Sequence, residues 1–158
     1  MRRVILGLVL SFLMLGAVLV PAGMAQATRP TQVDSTLTLG PTVVTDVRFA
    51  DGNIFITQTT TATFAGDLVG TFVYEIRITV HPTGKGNYHL SGSFDGTVDG
   101  QSGTAVIRAT GEFESQWQSG KWVMQLGTDD LAGLHIQGSF EGPLGGPISL
   151  SGWMHFDP

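Results

Sequence analysis

The chain contains no cysteine. Disulfides, thiol nucleophiles and thiolate metal sites are excluded, so stability must come from core packing and backbone pairing. Charge is scarce as well. Only 13% of residues are Asp, Glu, Lys or Arg, where an ordinary globular domain has about a quarter. Basic residues are the scarcest, eight against thirteen acidic ones, which leaves no basic patch for nucleic acid or for an anionic membrane. A surface this poor in charge must be covered by Ser, Thr, Gly and Gln. Beyond the N-terminal run no segment carries the 3.6-residue period of an amphipathic helix over a useful length. The G-x-S-x-G, Walker and G-x-G-x-x-G fingerprints are missing too.

What is present begins with an export signal. Arg2 and Arg3 precede an uncharged apolar run from Val4 to Val20, Pro21 and Gly23 break it, and Ala25-Gln26-Ala27 supplies a small-x-small cleavage site. An uncleaved N-terminal anchor is the alternative. A double Arg alone does not make a twin-arginine signal, and without Cys there is no lipoprotein anchor. The expected division is therefore 1–27 signal peptide, 28–53 N-terminal leader and first strand or strands, and 54–158 the remainder of a single β-barrel domain. After cleavage six basic residues face thirteen acidic ones, a formal charge of −7. The expected location is secreted or periplasmic, reached through a Sec-type signal, with no stable membrane anchor after cleavage.

The mature part alternates with period 2 between Gly, Pro and Asn/Asp-Gly punctuation. Val33–Leu39 and Val43–Phe49 flank Gly40-Pro41 and are readable as one strand broken by a bend. Further strands are expected over 54–64, 68–80, 87–98, 103–114, 121–126, 131–141 and 148–156, with Gln116–Gly120 a polar loop. Parity puts Phe72, Tyr74, Ile76, Ile78 and Val80 on one face, and Tyr88, Leu90, Gly92 and Phe94 together on the next strand. About eight strands with short turns leave no room for crossover helices, so pairing must be antiparallel and sequential. A sheet this long curls, and closure removes its edges. The expected fold is all-β, an eight-stranded antiparallel up-and-down β-barrel after the signal peptide, with a β-sandwich second.

Gly92-Ser93-Phe94, Gly111-Glu112-Phe113 and Gly138-Ser139-Phe140 repeat one device, Gly and Phe two residues apart on one face. Either Gly lets the strands coil, or it leaves volume for a ligand. The order Thr61-Ala62-Thr63-Phe64-Ala65-Gly66-Asp67-Leu68-Val69-Gly70-Thr71, Gly100-Gln101-Ser102-Gly103-Thr104-Ala105-Val106 and Thr110-Gly111-Glu112-Phe113, with Gly120-Lys121-Trp122 and the hairpin Gly127 to Phe140, resembles a bacterial family of allene oxide cyclase-like barrel proteins. The likeness covers residues 54 to 156. It implies an eight-stranded barrel, commonly oligomeric among its relatives, and no agreed activity. Plant relatives include a cyclase of an unstable fatty-acid epoxide and dirigent proteins that orient radical coupling. Their functional residues find no matching motif here. The first strand and the export signal depart from the family's pattern.

Chemistry is thinly represented. His81, His89, His135 and His155 never occur at H-x-H or H-x-x-x-H spacing, and His135 with His155 would need a third ligand. Asp129 and Asp130 read as turn residues that bond backbone N–H groups. Strand acids fall outward by parity, so no buried carboxylate with a raised pKa is expected. Glu75 with Arg77, and Arg108 with Glu112, read as surface pairs worth little. Thr57, Thr59, Thr61 and Thr63 form one outward ladder. Outward Trp153 and Val73 fit either a homo-oligomer interface or scattered surface apolars. The first functional expectation is a binding module for a small apolar molecule, lined by Phe72, Tyr88, Leu134, Ile136 and Met154. A cyclase or isomerase acting by confinement and a structural envelope protein are the alternatives, and the lack of inward acids leans away from an enzyme. No cofactor, metal or nucleic-acid partner is expected.

Overall fold

The computed structural model describes residues 29–157; the signal peptide expected over Met1–Ala27 lies outside them. Eight strands run up and down in sequence: β1 Thr31–Ala50, β2 Asn53–Gly66, β3 Leu68–Val80, β4 Gly86–Val98, β5 Gln101–Glu114, β6 Trp117–Gln125, β7 Leu134–Pro143 and β8 Ile148–Phe156. All neighbours are antiparallel and β8 pairs with β1, closing the barrel. The all-β, eight-stranded antiparallel expectation holds.

Turn chemistry sets the register. Asp51-Gly52 and Asp99-Gly100 each bring both central residues to positive φ, at 51° and 75° and at 49° and 79°. Two-residue hairpins favour that geometry because its twist matches the strands. The residues flanking them pair directly, Ala50 with Asn53 and Val98 with Gln101. Asp51-Gly52 rather than Gly52-Asn53 is the pair with positive φ, because Asn53 is needed as the first rung of β2. Gln116–Gly120 is not a loop either. Ser115, at φ 58°, makes the turn with Gln116, and Trp117 through Gly120 pair with Glu114 through Gly111. Polarity misled there because Gln118 points inward and is buried.

β1 is one continuous strand with two register shifts against β2, between Leu39 and Thr42 and between Val44 and Asp46. Its first part, Thr31–Leu37, pairs with β8, and from Ser35 onward it pairs with β2 as well. Beyond Leu37 only β2 accompanies it. The far half of the β1–β2 hairpin thus projects past the rim as an arm, with Val43 64% and Phe49 73% exposed.

The core divides along the barrel axis. At the end where β3 begins and β4 ends, Leu68, Phe94, Val98, Met124, Leu131 and Leu134 are all but fully buried. Phe64 packs edge-on against Phe94, ring centroids 5.7 Å apart, a favoured aromatic geometry. The short 3-10 turn Asp129–Leu131 lies over this end and drives Leu131 in as a plug. Thr128 holds the turn, its hydroxyl donating to Asp129 Oδ2 at 2.9 Å.

The Gly–Phe repeat serves packing. Trp122 pairs with Gly138, and Gly138 with Gly152. The indole projects into the barrel beside this pair, and a Cβ on Gly152 would stand 3.2 Å from Trp122 Cζ2. A Cβ on Gly138 would strike the Ser151 carbonyl and come within 2.6 Å of Gly152 Cα. These glycines let neighbouring backbones and large rings approach. They do not open the cavity described next, contrary to the alternative raised above.

Candidate functional site

The other half of the barrel is hollow. A cavity of about 380 Å³ opens between the β1–β2 arm, the ends of β3 and β5, and the Leu144-Gly145 turn. This is the size range of pockets that take small molecules. Its wall is aliphatic and aromatic, from Leu39, Ile56, Ile78 and Val80 at the mouth to Phe72, Trp122 and Phe140 deeper in. None of the described Asp, Glu, Lys, Arg or His residues lines it.

Of the residues expected to line a ligand site, Phe72 and Tyr88 stand in this wall. Leu134, Ile136 and Met154 do not. They point into the barrel as parity requires, but they lie toward the plugged end, packed in the core cluster that surrounds Leu131. Parity fixes which face a side chain occupies and says nothing about its height along the barrel axis. Height decides here.

The wall also carries polar groups that sequence reasoning missed. Thr42, Thr60 and Tyr74 sit side by side on β1, β2 and β3. The Thr42 and Thr60 hydroxyls are 3.0 Å apart and hydrogen-bonded, and Thr60 bonds in turn to the Tyr74 phenol. On the far side the Tyr88 hydroxyl donates to Gln118 Oε1 at 2.6 Å, and Gln118 Nε2 donates to the Pro143 carbonyl at 3.2 Å. Burial raises both phenols above their ordinary pKa; for Tyr74 the Thr60 bond offsets part of the rise, and for Tyr88 repulsion from Tyr74 adds to it. Gln58, between Val44 and Ile76, also faces the cavity. A signal existed for these residues: Gln58 and Thr60 share strand parity with inward Ala62 and Phe64, while the conspicuous outward threonines drew attention to the other face.

Elsewhere the surface is less structured for chemistry. A depression of about 950 Å³ lies on the barrel's outside, floored by Ser and Thr side chains with Glu112, Glu141 and Lys121 among them. Its walls are mostly short exposed side chains of mixed sign, and little in them would enclose a ligand. His135 and His155 are cross-strand partners with rings stacked 5.5 Å apart, and their Nε2 atoms lie 3.1 and 3.4 Å from the two oxygens of Asp157. Among the described residues no group of three or more His, Cys, Asp or Glu is arranged to hold a metal ion. Arg77 Nε meets Glu75 at 2.9 Å, both well exposed.

Fold and cavity together define a class: a closed eight-stranded antiparallel barrel, plugged at one end and hollow and apolar at the other. Residues 41–149 match the family described as "Protein of unknown function (DUF3224)", and the chain belongs to that family. A solved structure of a DUF3224 protein of unknown function from Shewanella oneidensis MR-1 has the same fold, at 17% identity and a TM-score of 0.69, covering 82% of this chain and 100% of that one. No curated protein matches the chain.

Proposed function

We propose that the protein is an exported binding module that takes a small apolar molecule into the hollow half of its barrel. One observation carries the reading: an interior wall of aliphatic and aromatic side chains around about 380 Å³, with its mouth at the arm. Packed interiors leave few voids larger than a water molecule, so a cavity of this size costs stability unless something occupies it. The plugged end gives the pocket a floor, and the arm gives it an apolar approach through Val44, Val47 and Phe49.

The wider reading belongs to the same proposal. The barrel is of the allene oxide cyclase-like kind, the signal over 1–27 directs the chain out of the cytoplasm, and residues 28–158 form one domain. Homo-oligomerisation would use the outer face where Trp153, 55% exposed, lies near Val123 across β7.

Native mass spectrometry of the protein purified from its own host tests the binding role. A co-purifying apolar adduct, lost on partial denaturation, is the expected result. Adduct-free spectra across several growth conditions, with no uptake of neutral hydrophobic probes, would sink it.

A further inference from the structure

We propose that the cavity selects neutral ligands: an apolar body bearing one hydroxyl or carbonyl group that bonds to Gln58, with carboxylates and ammonium groups of the same shape turned away. This rests on the binding role argued above and adds the chemistry of the occupant.

The wall has no means of receiving a charge. A charge taken from water into an apolar site costs several kcal/mol unless an opposite charge or several hydrogen bonds receive it. Among the described residues no ionised side chain lines the cavity, and burial raises its two phenols further above the range where they would ionise. Every described basic and acidic side chain lies elsewhere, so neither sign of ligand charge meets a counter-ion among them.

The wall offers one thing selectively. Its polar groups fall into two hydrogen-bonded sets, Thr42–Thr60–Tyr74 and Tyr88–Gln118–Pro143, each already engaged. The Gln58 amide stands apart. It is half-buried, it faces the cavity from between Val44 and Ile76, and it makes no hydrogen bond with another described residue. A primary amide presents both a donor and an acceptor, so a ligand carbonyl can take its N–H and a ligand hydroxyl can use either atom. A partner that removes an unmet polar group is favoured, and one that buries a bare hydrocarbon against it is not.

Isothermal titration of the full-length protein at pH 8 tests this with 2-methylnaphthalene, 2-naphthalenemethanol and 2-naphthoate, and with 1-decanol against decanoate. The alcohols are expected to bind at least about tenfold more tightly than the matching carboxylates, a factor below the full cost of burying an unpaired charge. Gln58→Leu should bring 2-naphthalenemethanol to within about twofold of 2-methylnaphthalene, with the hydrocarbon itself bound no more weakly than by the wild type. Carboxylates bound as tightly as alcohols would overturn the proposal. So would an alcohol advantage that is absent from the wild type or survives Gln58→Leu. If none of the five compounds binds, the cavity's role as a binding site fails, and this inference fails with it.

Discussion

The chain has two tyrosines, and both project into the barrel, where each finds a hydrogen-bond partner. Their position makes an otherwise silent interior measurable. Burial raises both phenols, so above pH ~10, the ordinary tyrosine value, the unfolded chain releases protons that the native barrel still holds. By linkage the stability tied to these groups is complete below pH ~10 and is lost as pH rises from there through the raised native values. At pH ~10.5 the folded protein is expected to show less tyrosinate absorbance than the urea-unfolded chain, which shows most of its full signal. The melting temperature should fall as pH climbs past that point, and less steeply in Tyr88→Phe. Half-titration near pH 10 in the folded state would place the phenols in water. The sequence already disclosed that Tyr74 shares a face with Phe72 and Ile76, and Tyr88 with Leu90. It did not disclose their partners. Thr60 is one threonine among a run of them, and Gln118 sits in a stretch whose polarity reads as loop.

At the scale of elements, Asp-Gly pairs were dependable punctuation, because two successive positive φ angles are affordable to few residues. The register shift between Leu39 and Thr42 falls where Gly40-Pro41 reads as a bend, whereas the one between Val44 and Asp46 left no mark, since a bulge inserts one residue without altering composition. They matter for the arm. From Leu39 to Ala50 one edge of β1 has no described strand beside it, and such an edge invites pairing with another chain. This one carries three deterrents: Pro41, the two shifts, and the charged pair Asp46 and Arg48, the latter held over the Phe55 ring at 4.6 Å. Half-paired and exposed, the arm belongs to the low-stability end of the molecule. Hydrogen exchange should therefore find the amides of Val43–Ala50 exchanging roughly a hundredfold faster than those of Gln32–Leu37. Uniform protection along β1 would show that a partner covers the edge in solution.

For the whole molecule, closure was readable from strand number and loop length, because short connections force sequential antiparallel pairing and a long twisted sheet curls. The partition into a packed half and a hollow half was not. It depends on how far each side chain lies from the plug, a quantity set by register and by the 3-10 turn that carries Leu131. Phe72 and Leu134 look alike in sequence and end up in different halves. Filling the hollow separates cavity from fold. Ala109→Phe places a ring in the open volume beside Trp122, and it should abolish uptake of the neutral dye Nile red while moving the melting temperature by no more than about 5 °C. Retained uptake would locate binding outside the barrel.

The seam that closes the barrel has one more effect. Thr31 pairs with Met154, and Asp157 N donates to the Gly133 carbonyl at 2.8 Å, so the described chain enters and leaves at the plugged end. Anything held close to Arg29 or Asp157, the ends of the described chain, whether a surface, a fusion partner or a neighbouring macromolecule, attaches behind the floor of the pocket. The mouth then points away from the tether and stays free to sample its surroundings.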